Sequence, residues 1–173
     1  MIGILAAALG VGFVSAFFPG LPAEPYLIGA VATTSAHPVP LALATAVGQS
    51  AGKLVILLAV RGTLHAPALR QWIEKKRAAL AERAARDAAR DDPGPLRRLG
   101  ARLVKLAQLN RTTVAAPLLL VSAIVGIPPL IVMTFTAAAG QMSAPAFLAT
   151  CLTGRSVRML IIAFAPSLLV GHL

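Results

Sequence analysis

The sequence predicts an all-α integral membrane protein made of two inverted repeats, each a re-entrant helical hairpin followed by a transmembrane helix, joined by a basic cytoplasmic helical loop. Three observations lead to this prediction: charge is confined to the middle of the chain, two apolar segments reach membrane-spanning length, and Gly/Pro-rich breaks divide the other apolar segments. Of the 173 residues, 57% are hydrophobic and 13% are charged, whereas soluble domains carry roughly 25% charged residues.

The net charge of +10 is concentrated in one stretch. Between Arg61 and Arg111 lie 13 basic and five acidic residues, which account for +8 of the total. A basic chain can indicate a nucleic-acid binder, but a charged block between two apolar blocks argues against that class. The asymmetry predicts that a loop over 62–111 faces the cytoplasm, because short basic loops stay on that side of the inner (cell) membrane.

The first apolar block, residues 1–61, is predicted to contain a hairpin and a span. Its hairpin, over about 1–36, consists of two segments too short to cross a bilayer easily, separated by a Pro/Gly-rich break. Backbone at such a break is tolerated in a membrane only inside protein or a watery cavity. The span over 41–60 follows and carries a single charge, Lys53. An alternative is that residues 1–18 cross the membrane completely and that the breaks are surface loops.

The second apolar block, residues 112–173, repeats this order with a hairpin over about 112–140 and a span over 145–170. Short matches between the blocks keep the same order at offsets of 107 to 105 residues, and Lys53 falls opposite Arg158. One hairpin plus one span crosses the membrane an odd number of times, so the second repeat is predicted to be inverted, with both hairpin tips near the midplane. The expected tip residues are Pro19, Gly20, Pro22, Gly126, Pro128 and Pro129.

The loop between the blocks is predicted to form two basic amphipathic helices on anionic lipid headgroups. Apolar residues recur on one face of each helix, with Lys and Arg beside them. The alternative is a solvated helical hairpin with ordinary surface charge. The residues expected to contact the lipid surface are Trp72, Arg97, Arg98, Arg102 and Lys105.

Four ionisable residues in the apolar blocks are candidates for binding a substrate or coupling its movement: Glu24, Lys53, Arg155 and Arg158. Charges at membrane depth are costly and therefore point to function. The three cations could form an inward-facing cluster that attracts a phosphate group and pairs in part with Glu24. Structural alternatives are that Glu24 complements the dipole of the helix after the break, and that the cations extend toward the membrane surface.

The sequence offers no motif for enzymatic chemistry. Cys151 is the only cysteine and lies among apolar residues, and His37 has no Cys, His or carboxylate at metal-ligand spacing. We therefore expect no metal, no cofactor and no enzymatic activity.

Several motifs resemble the DedA (VTT-domain, SNARE-associated) family of membrane proteins. They are the segment from Phe18 to Glu24, the glycine-spaced stretch from Gly48 to Lys53, and Arg61-Gly62, with weaker counterparts in the second block. The resemblance implies a re-entrant architecture, movement of lipids between leaflets, in some members with a proton gradient, and a membrane-embedded glutamate at Glu24.

This chain departs from the family pattern at four positions. Lys53 replaces an acidic residue, Leu57 replaces an aromatic residue, and Ser122 and Pro128 stand where the family has two arginines.

The expected function is therefore that of a transporter, flippase or scramblase for an anionic phospholipid, with lipids as partners and a possible homo-oligomer. Two alternatives remain open at this point. The chain could be a non-transporting membrane scaffold whose basic loop binds lipid or a partner, or it could export a small solute or ion.

Overall fold

The structure is a computed structural model that describes residues 2–18, 23–34, 37–64, 66–88, 94, 99, 102–103, 112–127, 129–140 and 142–170. Across these residues the chain is all-helical, with seven helices and no strand, which confirms the all-α part of the prediction. The helices are α1 (Ile2–Ser15), α2 (Ala23–Thr33), α3 (Pro38–Val60), α4 (Pro67–Ala88), α5 (Thr112–Val125), α6 (Leu130–Ala139) and α7 (Ala144–Val170).

Two of these helices, α3 and α7, are long and apolar enough to cross a membrane. The qualifying stretch is Pro38–Val60 in α3 and Ala144–Phe164 in α7. The helices α1, α5 and α6 are apolar but shorter, at 14, 14 and 10 residues. The sequence prediction of two span-length helices is therefore confirmed.

The start of α3 lies three residues earlier than predicted. Pro38 and Pro40 lie in the first helical turn, ahead of the span predicted over 41–60, where the missing N–H leaves no hydrogen bond unmade. His37 is the N-cap residue, and its Nδ1 accepts a hydrogen bond from the Val39 backbone N–H at 3.4 Å. Gly62, with a φ of 79°, follows the C-terminal end of α3.

The two long helices cross at the centre of the fold and run antiparallel. One hydrophobic cluster joins Leu41 and Ala46, near the start of α3, to Met159 and Ala163 in the second half of α7. The other cluster joins Leu57, near the end of α3, to Phe147 and other residues near the start of α7. Because opposite ends of the two helices share a cluster, the helices point in opposite directions.

The short helices pack around this pair in a matched pattern. The helix α1 packs on α3 and α5 packs on α7, whereas α2 packs on α7 and α6 packs on α3. Each hairpin thus places its first helix on the long helix of its own half and its second helix on the long helix of the other half. The contact of α1 with α3 therefore corresponds to that of α5 with α7, and the contact of α2 with α7 corresponds to that of α6 with α3.

Glycines allow the first helix of each half to approach the long helix closely. A Cβ atom on Gly48 would collide with the Leu9 carbonyl oxygen, and one on Gly52 would lie 2.5 Å from the Ala16 Cβ. In the other half, a Cβ on Gly154 would lie 2.5 Å from the Ala123 Cβ. Small residues at these positions let the helix backbones pack together.

The helix α4 is one continuous helix whose apolar face packs on the rest of the protein. Ile73 is buried, and the Trp72 ring lies edge-on to Phe17 with 5.7 Å between ring centroids. The Arg77 guanidinium lies 5.4 Å from the centre of the Phe135 ring in α6. Trp72, expected at the lipid surface, is therefore half-buried against protein, because a tryptophan next to an apolar helix end gains more by packing than by exposure.

Candidate functional site

A pocket of about 250 Å³ lies where the two hairpin tips meet the two long helices. The first hairpin contributes residues from both sides of its tip, and the second contributes the start of α6. The helices α3 and α7 supply polar and charged side chains. The lining residues are Ser15, Ala16, Phe18, Ala23, Glu24, Gln49, Lys53, Pro129, Leu130, Ile131 and Arg155.

Lys53 is turned inward from α3. Its side chain is only 6% exposed, and its Nζ donates a hydrogen bond to the Ala16 carbonyl oxygen at 2.7 Å. Ala16 directly follows the last residue of α1, where helix carbonyls lack partners within the helix and carry partial negative charge. Lys53 therefore satisfies the C-terminal end of α1 and lies about 10 Å from the nearer end of α3, at 1.5 Å per residue.

Arg158 joins both hairpins to α7. Its Nη2 lies 3.2 Å from the Glu24 Oε1, and its Nε donates to the same oxygen at 3.3 Å. Its Nη1 donates to the carbonyl oxygens of Ile124 and Val125 at 3.0 and 3.1 Å. One guanidinium thus binds a carboxylate in the first hairpin and the C-terminal end of α5 in the second.

Glu24 lies in the first turn of α2, a position where a carboxylate also complements the helix dipole. The ion pair with Arg158 and this dipole contact are compatible, so both interpretations of Glu24 made from the sequence agree with its position. Because α2 begins at Ala23 and not after Pro25, the carboxylate lies inside the helix and reaches α7 directly.

Arg155 lines the pocket one turn before Arg158. Its Nε is buried and has no hydrogen-bond partner among the described residues. The same holds for the Oε1 of Gln49, a side chain that is 5% exposed and also lines the pocket. Unsatisfied buried polar atoms are rare in proteins, and in a pocket they are positions where a ligand or water binds.

The structure brings Glu24, Lys53 and Arg155 to one pocket and pairs Arg158 with Glu24 at its side. Of the expected tip residues, Pro129 lines the pocket, and Gly126 faces Arg158 with a φ of 87°. Pro19, Gly20, Pro22 and Pro128 lie outside the described residues, as do Arg97, Arg98 and Lys105 of the loop. Arg102 is exposed.

Sequence reasoning missed the roles of Gln49, Ser15 and Arg61. The amide Nε2 of Gln49 donates to the Ser15 Oγ at 3.1 Å, which in turn donates to the Gly12 carbonyl at 2.7 Å. Gln49 precedes Lys53 by four residues and so shares its helix face. A polar residue at that spacing in an apolar span is the signal that could have identified it.

Arg61, directly after the last residue of α3, points across to the second hairpin. Its Nη2 donates to the Ala137 carbonyl oxygen at 3.2 Å and also to that of Met142. The C-terminal end of α6 is therefore capped by a side chain from α3, because exposed helix carbonyls attract a cation.

Within the described residues, no group of three or more His, Cys, Asp or Glu side chains could hold a metal ion. Comparisons of the chain with protein-family models, with curated proteins and with solved structures found no match.

Proposed function

We propose that this protein is a DedA-like membrane transporter that moves the headgroup of an anionic phospholipid between leaflets through the pocket at the hairpin tips. The observation that carries this proposal is the convergence of two helical hairpins, from opposite halves of the chain, on a pocket lined by Lys53, Arg155 and Glu24. Cations in a confined site between broken helices are suited to a phosphate group.

Insertion in a membrane is part of this proposal. Beyond the length of α3 and α7, their outward faces carry large exposed apolar side chains, including Leu43 and Val47 on α3 and Val157, Ile161 and Phe164 on α7. Water disfavours such surfaces on a monomeric protein, whereas lipid accepts them. The exposed apolar faces on both long helices therefore support lipid contact around the fold.

We also propose that the two halves are inverted repeats with re-entrant hairpins. The antiparallel long helices and the exchange-related contacts of the short helices support this arrangement. In such proteins the broken helices meet near the bilayer midplane and line the substrate site. The cell membrane and a cytoplasmic middle loop follow from the positive-inside rule.

In the proposed mechanism, the lipid headgroup enters the pocket while its acyl chains stay in the bilayer. The cations replace the water around the phosphate, which lowers the cost of moving a charged group through the membrane. Glu24 gates the pocket, because its pairing with Arg158 links the first hairpin to α7. An anion that arrives at Arg155 repels the Glu24 carboxylate and loosens this link.

The proposal is tested by lipid movement in proteoliposomes that contain the purified protein and fluorescent phospholipids. We expect Glu24→Gln and Arg158→Ala to lower the rate at least tenfold, because each removes one partner of the link between the hairpin and α7. The matched control is Glu74→Gln, which changes an exposed carboxylate on α4. Circular dichroism verifies that each variant is folded.

Normal rates in both variants would contradict the proposal. If folded wild-type protein moves no lipid but charge reversal at Arg97, Arg98 and Arg102 abolishes lipid binding, the protein is a scaffold. Transport of a soluble anion without lipid movement would identify a solute exporter instead.

A further inference from the structure

The basic residues in and beside the pocket have different hydrogen-bond partners. Lys53 donates to Ala16 at the end of α1, and Arg158 donates to Ile124 and Val125 at the end of α5. Both contact the partially negative C-terminal end of the first helix of a hairpin. Arg158 is further engaged by Glu24 through Nε and Nη2. These two side chains are positioning residues that hold the hairpin tips.

Arg155 is the cation left for a ligand among the described residues that line the pocket. Its Nε donates no hydrogen bond to any residue that the structure describes, although this atom is buried. The neighbouring cations Lys53 and Arg158 keep the site positive, while their hydrogen bonds to Ala16 and Glu24 hold their positions. An oxyanion bound to Arg155 would satisfy its donors, since guanidinium groups bind phosphate in a planar, two-bond geometry.

Gln49 adds a hydrogen-bond acceptor to the same pocket. A serine hydroxyl has a single hydrogen, and that of Ser15 is donated to Gly12. The Ser15 oxygen can therefore only accept from Gln49, which fixes the amide with its NH₂ toward Ser15. The remaining Oε1 of Gln49 is buried and has no partner among the described residues.

We propose that the pocket binds a phosphodiester through Arg155 and a hydroxyl of the group esterified to it through the Oε1 of Gln49. The pocket volume of about 250 Å³ is below the roughly 300–1,000 Å³ of sites that enclose whole drug-sized ligands. It suits a small polar headgroup and not a complete lipid. This inference rests on the proposed function and specifies its substrate class: an anionic phosphodiester that carries a hydroxyl, such as phosphoglycerol.

The test measures binding to the full-length protein in detergent micelles by native mass spectrometry, and it does not depend on transport. Dioctanoyl phosphatidylglycerol is compared with dioctanoyl phosphatidylethanol, because the two share charge and phosphodiester but differ in the hydroxyls. We expect phosphatidylglycerol to bind roughly fivefold more tightly, the effect of one buried neutral hydrogen bond. Equal affinities in the wild type would overturn the inference and leave the proposed function standing.

Two variants assign the contacts. Gln49→Leu is expected to abolish the preference while keeping phosphatidylethanol affinity, and Arg155→Ala to weaken both lipids more than tenfold, since a charged hydrogen bond is lost. The control for Gln49→Leu is Thr153→Val on α7, an exposed residue whose hydroxyl donates to a carbonyl of its own helix. The control for Arg155→Ala is Arg70→Ala, which removes an exposed arginine of α4. A preference retained by folded Gln49→Leu would overturn the assignment.

Competition by soluble glycerophosphoglycerol distinguishes a membrane lipid from a soluble phosphodiester as the ligand of the pocket. If it fails to compete with the lipid at millimolar concentration, the ligand is the membrane lipid, as we infer. If it competes as well as the lipid and shows the same dependence on Gln49 and Arg155, the assigned chemistry holds for a soluble phosphodiester, and the lipid function fails.

Discussion

Single basic side chains satisfy backbone carbonyl groups where the helices of this fold end. Lys53 binds the carbonyl oxygen after α1, and Arg158 binds two carbonyls at the end of α5. Arg61 binds one carbonyl in the last turn of α6 and a second one just after that helix. Water can do this at the surface of a soluble protein, whereas side chains have to do it in the proposed membrane setting, because the hydrocarbon core holds no water. Three basic residues in apolar surroundings are thus explained by the carbonyl groups that they satisfy.

Gly126 allows a test of this packing at one residue. Its φ of 87° lies in the left-handed region, and a Cβ there would lie 3.3 Å from the Arg158 Nη1. We expect Gly126→Ala to destabilise the protein by about 1–2 kcal/mol through backbone strain and to disturb the bonds of Arg158. Thermal unfolding in detergent measures the change.

The control for this substitution is Gly29→Ala in α2, where a Cβ would meet open space. Alanine favours a helix over glycine by about 1 kcal/mol, so this variant should be at least as stable as the wild type. A Gly126→Ala protein as stable as the control would contradict the strained, tightly packed tip.

The sequence was sufficient to predict the charged members of the site and insufficient for the neutral ones. Glu24, Lys53 and Arg155 are conspicuous because charges are rare in apolar segments. Gln49 is not, since a glutamine in a long helix can also bond locally or face solvent. Its importance depends on Ser15, which is 34 positions away in the chain and reaches it only through helix packing.

At the scale of helices, the close contact between α1 and α3 depends on glycine, which has no side chain, at the contact positions of α3. The carbonyl oxygen of Leu9 occupies the space that a Cβ on Gly48 would need. We expect Gly48→Ala to push the two helices apart and to cost about 1–3 kcal/mol, the usual effect of overpacking. Unfolding in detergent, followed by circular dichroism, is the measurement.

Gly10→Ala in α1 is the matched control, because a Cβ on Gly10 would meet open space. It places the same methyl group on the same helix pair without a collision. If both variants unfold alike, the close approach of α1 to α3 is not a determinant of stability.

Helix boundaries and helix docking differed in how far the sequence could predict them. The break predicted from Gly126 and Pro129 lies between the end of α5 at Val125 and the start of α6 at Leu130. The start of α3 was placed too late, because proline ends a helix but is also favoured in its first turn. The docking of Trp72 on Phe17 could not be predicted, since an amphipathic basic helix suits protein and lipid surfaces equally.

At the scale of the whole molecule, the structure has two halves whose helix contacts correspond. The repeated order of segments in the sequence suggested such halves, but it could not show which helices pack together. In the structure each hairpin packs on both long helices, so neither half has a complete core of its own. A pocket at the meeting point of the two tips follows from this exchange of partners.

In the proposed re-entrant architecture, both hairpin tips lie inside the membrane at matched depth. Phe18 lies beside the tip of the first hairpin, and Val125 lies at the end of α5 beside the tip of the second, 107 positions later. Both side chains are exposed, Phe18 to 54% and Val125 to 58%. Spin labels at these positions and at Thr63, in a Cys151→Ser background in liposomes, report depth through collisions with oxygen and with a water-soluble nickel complex.

We predict that the labels at Phe18 and Val125 have equal depth near the midplane, with high oxygen and low nickel accessibility, while the label at Thr63 is in water. High nickel accessibility at either tip would mean that the break is a surface loop and would contradict the re-entrant architecture.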